Sequence, residues 1–463
     1  MKLLVKICLS SFALVATSAW ATREQSAFVK LASDVQINST TYQIVLTRTI
    51  TLSEPAVVIG VADGRYFAVD APAGQIAVAI DGSTGNSSVA VTDWGSSSAS
   101  VQHSFNALAN ATLTAGIHTV ALVASSSSSR PGRFKVGSGS GLSVLVQPFS
   151  QVHSSFLSGE SGNINVTTYN PPTVNVTEGG STRPVVSILS QSISNPGPTA
   201  TNIVSMVSGR SFNSCDSGIK NGRGDALWGI YADNTCQSTG SASWSVDDLD
   251  TTGELQGAMY AHAKYSLAVG QTRTISFVAS ELAFGSDQPN PHENGVCYKA
   301  GSAKLLSMVD GVVMGSASGG TNSFCSTYTW KCVATTVSWP SCPASGSNVA
   351  IGSTSVTIPS GNDGIVYFSA KTRIQADNTD SFATATLQIY VDGSPVGTIG
   401  IQQLAAGYGQ SSRTLSSSYI SAPGPNSTTL SVGTHTVSAV VNVSGTTLHH
   451  VSVPQDVVLT YFD

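Results

Sequence analysis

The sequence predicts an all-β protein made of three tandem antiparallel β-sandwich domains of jelly-roll type. Three observations lead to this fold class: a composition low in charge, an internal pattern that recurs three times, and no segment with a sustained helical period. Only 10% of the 463 residues are charged, against about 25% in ordinary globular proteins, which disfavours long helices and coiled coils. Hydrophobic residues make up 41% of the chain, which is enough to form several buried cores.

The first 21 residues have the form of a secretory signal peptide. A basic start at Lys2 and Lys6 is followed by a short apolar stretch and by Ala19-Trp20-Ala21, a small-residue cleavage site. We therefore expect a secreted or cell-surface protein. No later segment has the 18 consecutive apolar residues of a membrane-spanning helix, so we expect no span. The chain has 21 basic and 26 acidic side chains, and this acidic balance makes nucleic acid an unsuitable partner.

The repeated pattern is a turn that leads into a strand. Residues 113–120, LTAGIHTV, recur at 430–437 as LSVGTHTV and more loosely at 267–275 as LAVGQTRTI. Upstream, residues 76–82, IAVAIDG, match 387–393, LQIYVDG, and each ends in the Asp-Gly pair that is typical of a hairpin turn. The middle copy has LWGIYADN at 227–234 in the same place. Short strands at this spacing indicate antiparallel sandwiches.

The Leu-x-x-Gly-x-His-Thr-Val stretch resembles the late strands of jelly-roll modules of secreted proteins, including those of the TNF/C1q-like type. The resemblance covers about ten residues of each copy, implies a jelly-roll fold and a homo-oligomer such as a trimer, and transfers no binding residues. Because each repeat is large enough to bury its own core, we expect three separate beads on a string. In chain order the predicted parts are the signal peptide (1–21), the first repeat (22–150), a linker (151–182), the second, disulfide-containing repeat (183–332), a linker (333–348) and the third repeat (349–463).

Cysteines are confined to the middle of the exported chain. They are Cys215, Cys236, Cys297, Cys325, Cys332 and Cys342. Six cysteines in an exported chain predict disulfides, with fifteen connectivities open, and short loops favour pairing each cysteine with its neighbour in that order. A zinc site is the alternative, and the absence of paired CxxC motifs and the oxidising compartment disfavour it.

The chain has none of the short motifs that mark zinc proteases, phosphate-binding loops, dinucleotide sites or serine hydrolases. His118 and His435 belong to the repeated turn. For both we predict a structural role, in which the ring closes a local hydrogen bond, rather than a catalytic one.

The middle repeat has the densest mixture of acidic and aromatic residues, the types that a sugar site needs. The candidate ligand-binding residues are Trp228, Tyr231, Asp233, Trp244, Asp247 and Tyr260. Core packing of the tryptophans is the alternative interpretation. Asp248 and Asp250 match the opening of a calcium loop, but residue 259 is Met where an EF-hand needs a carboxylate, so calcium in a simpler loop competes with an ordinary polar turn.

These observations lead to a secreted or cell-surface, non-enzymatic structural or adhesive protein, with glycans or other surface proteins as partners. The first alternative is a secreted carbohydrate-active enzyme with its carboxylates in the middle repeat. The second alternative is an appendage or fibre component, in which stacking of repeats is itself the function. No cofactor is expected apart from the calcium considered above.

Overall fold

A computed structural model gives the structure of the chain over most of its strands. The described residues are 25–68, 74–92, 101–126, 133–147, 152–156, 164–166, 173–178, 181–212, 226–233, 235–238, 256–281, 296–298, 303–310, 315–318, 330–332, 349–376, 383–404, 411–444, 451–454 and 458–462. Within these ranges every regular element is a β-strand, and no helix is long and apolar enough to cross a membrane.

The first sandwich is formed by ten strands. They are β1 (Ala27–Lys30), β2 (Val35–Ile37), β3 (Gln43–Leu52), β4 (Ala56–Ala68), β5 (Gly74–Ile80), β6 (Ala90–Thr92), β7 (Val101–Leu113), β8 (Gly116–Ser126), β9 (Phe134–Val136) and β10 (Gly141–Gln147). One sheet has the order β1-β10-β4-β9-β2, with β7 also paired to β4. The other sheet has the order β3-β8-β5-β6, and all pairs are antiparallel.

The second sandwich follows the same plan with one additional strand. Its strands are β11 (Val152–Phe156), β12 (Ile164–Val166), β13 (Thr173–Glu178), β14 (Ser181–Ser194), β15 (Thr201–Phe212), β16 (Ala226–Ala232), β17 (Thr235–Ser238), β18 (Gln256–Leu267), β19 (Thr272–Glu281), β20 (Val296–Tyr298) and β21 (Ala303–Asp310). One sheet has the order β11-β21-β15-β20-β12, with β18 on β15. The other, β13-β14-β19-β16-β17, closes on itself through a parallel bridge between Thr177 and Thr235.

The third sandwich repeats the arrangement of the first. Its strands are β22 (Gly315–Ser318), β23 (Trp330–Cys332), β24 (Val349–Ile358), β25 (Val366–Ala376), β26 (Ala383–Val391), β27 (Ser394–Leu404), β28 (Ser411–Ser421), β29 (Gly433–Ser444), β30 (Val451–Pro454) and β31 (Val458–Phe462). The two sheets have the orders β22-β31-β25-β30-β23, with β28 on β25, and β24-β29-β26-β27. The predicted fold class, three antiparallel jelly-roll-like sandwiches, is confirmed.

The strand pairing divides the chain at different residues from those predicted. Strands β11, β12 and β13 lie in the expected linker 151–182, yet they pair with strands of the second sandwich. Strands β22 and β23 lie within the expected second repeat, and they pair with β31 and β30 of the third sandwich. The first two strands of a sandwich are short, so the sequence pattern around them resembles a loop.

Strand β4 illustrates why the sandwiches do not stand apart. Val58 and Ala62 face the core of the first sandwich, as alternation along a strand requires. The intervening Val57, Ile59 and Val61 point out of the sandwich, and they are buried too. A strand that is apolar on both faces needs a partner on each.

The outward faces of β4 and of other strands in the six-stranded sheets pack against neighbouring sandwiches. One buried cluster contains the core of the third sandwich and also side chains from the first and second sandwiches. We call the region where these side chains meet the junction. The junction residues of the first two sandwiches are Phe28, Val57, Ile59, Val61, Leu108, Leu145, Val204, Met206, Tyr260, Leu306 and Met308. The expectation of separate beads is therefore wrong, because the outer faces of the six-stranded sheets are themselves apolar.

Each sandwich contacts both of the others. Asp63 of the first accepts a hydrogen bond from Ser416 of the third, and Ser88 of the first donates one to Ser208 of the second. Tyr260 of the second shares a hydrogen bond with a serine of the third, Ser369. Each sandwich therefore contacts the other two within one chain, and we call this three-way contact the closed ring. Only residues 148–151 and 311–314 separate the last strand of one sandwich from the first strand of the next.

Candidate functional site

The repeated turn motif forms a clamp at one end of the four-stranded sheet. In the first sandwich Asp81 follows β5 in the left-handed region, with φ of 49°. Its Oδ1 accepts the Thr119 N–H at 2.8 Å, and its Oδ2 lies 2.7 Å from Nδ1 of His118. The other ring nitrogen, Nε2, lies 2.8 Å from the Thr114 carbonyl oxygen. Both ring nitrogens face acceptors, which favours the doubly protonated imidazolium.

The clamp recurs in the third sandwich and is altered in the second. His435 Nδ1 lies 2.7 Å from Asp392 Oδ2, and its Nε2 lies 2.9 Å from the Ser431 carbonyl oxygen. In the second sandwich Asp233 accepts the Thr274 N–H at 2.8 Å, but its charged partner is Arg273, at 3.7 Å. The predicted local hydrogen bond of both histidines is confirmed.

Charge pairing shifts the pKa of both clamp partners. The hydrogen bond to Asp81 raises the pKa of His118 above 6.5, and the bond to Asp392 does the same for His435. The pKa of Asp392 falls below 3.8 mainly through its bond to His435. For Asp81, desolvation acts to raise the pKa, but the bonds from Thr119 and His118 outweigh it and lower the pKa.

These shifts predict when the clamps stabilise the fold. A histidine whose pKa is raised by folding stabilises the folded state below about pH 6.5, and this stabilisation is lost as the pH rises through the folded-state pKa. An aspartate whose pKa is lowered by folding stabilises the folded state at higher pH, and that stabilisation is lost in strong acid. We expect Asp81→Asn combined with Asp392→Asn to lower the free energy of unfolding by about 0.5–1 kcal/mol per clamp near pH 5.5, because the groups are partly exposed, and by less near pH 9. Denaturant titrations at both pH values measure this difference.

The second sandwich supplies the matched control for the clamp experiment. Arginine side chains do not lose their proton in proteins, so Asp233→Asn should cost the same at both pH values. Equal losses for the double variant at the two pH values would contradict an imidazolium in the clamps.

A second polar arrangement lies inside the junction. Asp63 is 1% exposed and receives hydrogen bonds from Ser416 Oγ at 2.7 Å, from Ser418 Oγ and from Asn106 Nδ2. Ser416 and Ser418 belong to β28 of the third sandwich, whereas Asn106 belongs to β7 beside Asp63. The carboxyl group therefore connects the first sandwich to the third.

The same strand pair of the third sandwich also binds the second. Ser418 pairs directly with Ser369 across β25 and β28, so both side chains project from one face. Ser369 Oγ lies 2.7 Å from the Tyr260 hydroxyl and 3.0 Å from Nδ1 of His262, both in β18. Asp63, the two serines, Tyr260 and His262 thus form a polar core that touches all three sandwiches.

Burial dominates the electrostatics of this polar core. It raises the pKa of Asp63, and the bonds from Ser418, Ser416 and Asn106 offset only part of the effect. Burial likewise raises the pKa of Tyr260 and of Tyr367, with a further contribution from the nearby Asp63. On β21, burial lowers the pKa of Lys304 to about 8. Asp63 and Tyr260 are almost fully buried between sandwiches, so we assign them a role in holding the sandwiches together rather than in binding a substrate from solvent.

Of the candidate ligand-binding residues whose side chains the structure describes, the two tyrosines are buried. Tyr231 in β16 is 1% exposed and Tyr260 is 2% exposed in the junction, so neither ring faces solvent. Asp233 is exposed, but it belongs to the clamp turn of the second sandwich. Trp228 lies in β16, and Trp244 and Asp247 lie outside the described residues.

Metal and disulfide predictions fall largely outside the described part of the chain. Asp248 and Asp250 are not among the described residues, nor are Cys215, Cys325 and Cys342. Cys236, Cys297 and Cys332 lie in β17, β20 and β23, so each expected disulfide has one partner beyond the described strands. Within those strands no group of three or more His, Cys, Asp or Glu side chains is placed to hold a metal ion.

The second sandwich nevertheless gathers its longest connections at one end. Phe212, at the end of β15, pairs with Gln256 at the start of β18 and with Cys297 in β20. Ala226 and Glu281 pair at the corresponding end of the other sheet. The segments between these strand ends, 213–225, 239–255 and 282–295, are longer than the equivalent connections of the other two sandwiches and lie outside the described residues. The length of these connections distinguishes the second sandwich from the other two once its strands are located.

Comparison with known proteins adds little to this geometry. No protein-family model matches the chain, and no curated protein matches it either. Among solved structures, the tandem CBM22-1-CBM22-2 domain of Xyn10C from Paenibacillus barcinonensis is 10% identical, over 67% of this chain and 94% of that one, with a TM-score of 0.15. The tandem CBM51 modules of Sp3GH98 from Streptococcus pneumoniae are 11% identical, over 60% and 83%, with a TM-score of 0.16. PNGF-II is 8% identical, over 86% and 98%, with a TM-score of 0.24. Scores this low describe no common overall arrangement.

Proposed function

We propose that the protein is a secreted or cell-surface, non-enzymatic structural or adhesive protein, and that glycans are its ligand class. The observation that carries the proposal is the closed ring, in which three sandwiches bury the outer faces of their six-stranded sheets against one another. Three sandwiches held together in this way form a single body. Such a body suits a protein that presents a fixed binding surface rather than one whose domains close over a substrate.

The polar residues of the ring support the same proposal. Asp81, Asp392 and their histidines close turns, and Asp63 with its serine partners joins sandwiches. All of these acidic side chains are engaged in bonds that maintain the fold. The recognition face is proposed for the end of the second sandwich where its long connections start, and Trp244 and Asp247 belong to one of those connections by sequence.

A glycan array with the chain lacking its first 21 residues tests this function. We expect binding to a defined glycan class, and Trp244→Ala should weaken it at least about tenfold, because stacking of an aromatic ring contributes roughly 0.5–1.5 kcal/mol in addition to its buried area. Tyr42→Ala is the matched control, since Tyr42 is an exposed aromatic residue of the first sandwich.

The same material distinguishes binding from catalysis. Incubation of each bound glycan with the protein should leave the glycan intact. Cleavage that disappears in Asp247→Asn would make the protein a carbohydrate-active enzyme instead. Failure of the protein to bind any glycan on the array would reject glycans as the ligand class.

A further inference from the structure

The Asp63 carboxyl group lies where two sandwiches meet, and its partners there can bond to it in either protonation state. Ser416 and Ser418 are hydroxyls, which donate to a carboxylate and can also accept from a carboxylic acid. Protonation of Asp63 therefore costs no hydrogen bond at the contact between the first and third sandwiches. It does remove the penalty of a charge held away from water.

The surroundings of Asp63 include several other charged or titratable side chains. On the strands packed around it these are Lys30, Arg65, Tyr260, His262, Tyr367 and Lys371. Lys30 donates to the Gly397 carbonyl oxygen, and Arg65 donates to the carbonyl and hydroxyl oxygens of Ser138. The three groups that donate to the Asp63 carboxyl itself are neutral.

We propose that Asp63 is an acid-responsive lock of the ring, so that the three sandwiches close more tightly when its carboxyl group is protonated than when it is ionised. The location determines which equilibrium responds. Ser416 and Ser418 lie in another sandwich, more than 350 positions along the chain, so the carboxyl group acts on contacts between sandwiches. The lock concerns the body of the ring and does not depend on which ligand the protein binds.

The direction of the pH dependence follows from burial. Because the pKa of Asp63 is raised above 3.8 in the closed ring, the closed form holds the proton at pH values where the open form has released it. Closure is then strongest below that ordinary value and weakens as pH rises through the raised pKa. An exported protein would hold a tighter ring in acidic surroundings than in neutral ones.

Two buried methionines report on ring opening. Met206 and Met308 belong to the second sandwich, point into the junction and are at most 2% exposed. Peroxide oxidises them only when the junction opens, so their oxidation rate, followed by mass spectrometry, measures the open fraction. Asp63 is in the first sandwich, so its protonation alters their oxidation only through the contacts between sandwiches.

The experiment compares the intact chain with Asp63→Asn, which imitates the protonated group at every pH. We expect the oxidation rate of both methionines to rise severalfold in the natural chain between about pH 4.5 and about pH 8. In Asp63→Asn the rate should stay low and constant. Glu54→Gln is the control, because it removes a carboxylate from the turn between β3 and β4 of the same sandwich, which is not among the groups around Asp63, and it should keep the pH dependence of the natural chain.

Two results would overturn the proposal. A pH-independent rate in the natural chain would do so even if Asp63→Asn failed to fold. Faster oxidation of Asp63→Asn than of the natural chain near pH 8 would show that the ionised carboxylate is what holds the ring closed.

Discussion

Replacement of Leu306 by aspartate should open the ring and leave the second sandwich folded. Leu306 lies in β21, is fully buried and belongs to the junction. Burial of a carboxylate in this apolar contact would cost several kcal/mol of desolvation free energy. We expect this cost to exceed what the contacts between the sandwiches contribute, so the junction should open. We expect an increase in the radius of gyration by small-angle scattering, with the β-sheet circular dichroism retained.

The neighbouring residue is the matched control for this substitution. Leu305 is also a fully buried leucine of β21, but it faces the core of the second sandwich. Leu305→Asp should therefore unfold that sandwich and reduce the β-sheet signal. Identical behaviour of the two variants would contradict the assignment of Leu306 to the contact between sandwiches and of Leu305 to the core of the second sandwich.

Substitution of Gly364 by alanine should strongly destabilise the third sandwich. Gly364 has φ of +69°, and a Cβ there would lie 2.1 Å from the Leu430 carbonyl oxygen. Its own carbonyl oxygen accepts the Leu430 N–H at 2.9 Å, so the two backbones cannot separate without loss of that bond. We expect a loss of about 3 kcal/mol or more, from the left-handed backbone and the collision together, measured by denaturant unfolding.

Gly361 provides the control in the same loop. Its φ is +89°, and an added Cβ would meet nothing within 4 Å. Gly361→Ala should therefore cost only the backbone strain, about 1–2 kcal/mol. A loss in Gly364→Ala no larger than in Gly361→Ala would show that the loop can move away from Leu430.

The repeated strands and the clamp histidines could be predicted because they depend on local patterns. Residues 113–120 and 430–437 share a turn and a strand, and a histidine four residues after the turn begins can bond back to it. The Asp63 contacts depend instead on which sheet faces meet, and its serine partners are more than 350 positions away. The one available signal was the run of apolar residues along β4, which is too continuous for a strand with one solvated face.

The candidate ligand residues show a different limit of sequence reasoning. The density of aromatic and acidic residues in the middle repeat predicts ligand binding by Tyr231 and Tyr260, but both rings are buried. Composition does not reveal whether an aromatic side chain fills a core or lines a surface. Core packing, which is the alternative interpretation for Trp228 and Trp244, is what the structure shows for the two tyrosines.

The two apolar faces of the six-stranded sheets have a consequence for folding kinetics. Each sandwich is completed by its last strand, since β10, β21 and β31 pair with the first strand of the same sandwich. A sandwich that has just folded still exposes an apolar sheet face until its neighbours are ready. The interval before the third sandwich forms is therefore when the chain is most prone to aggregate, and slow pairing of distant strands lengthens that interval.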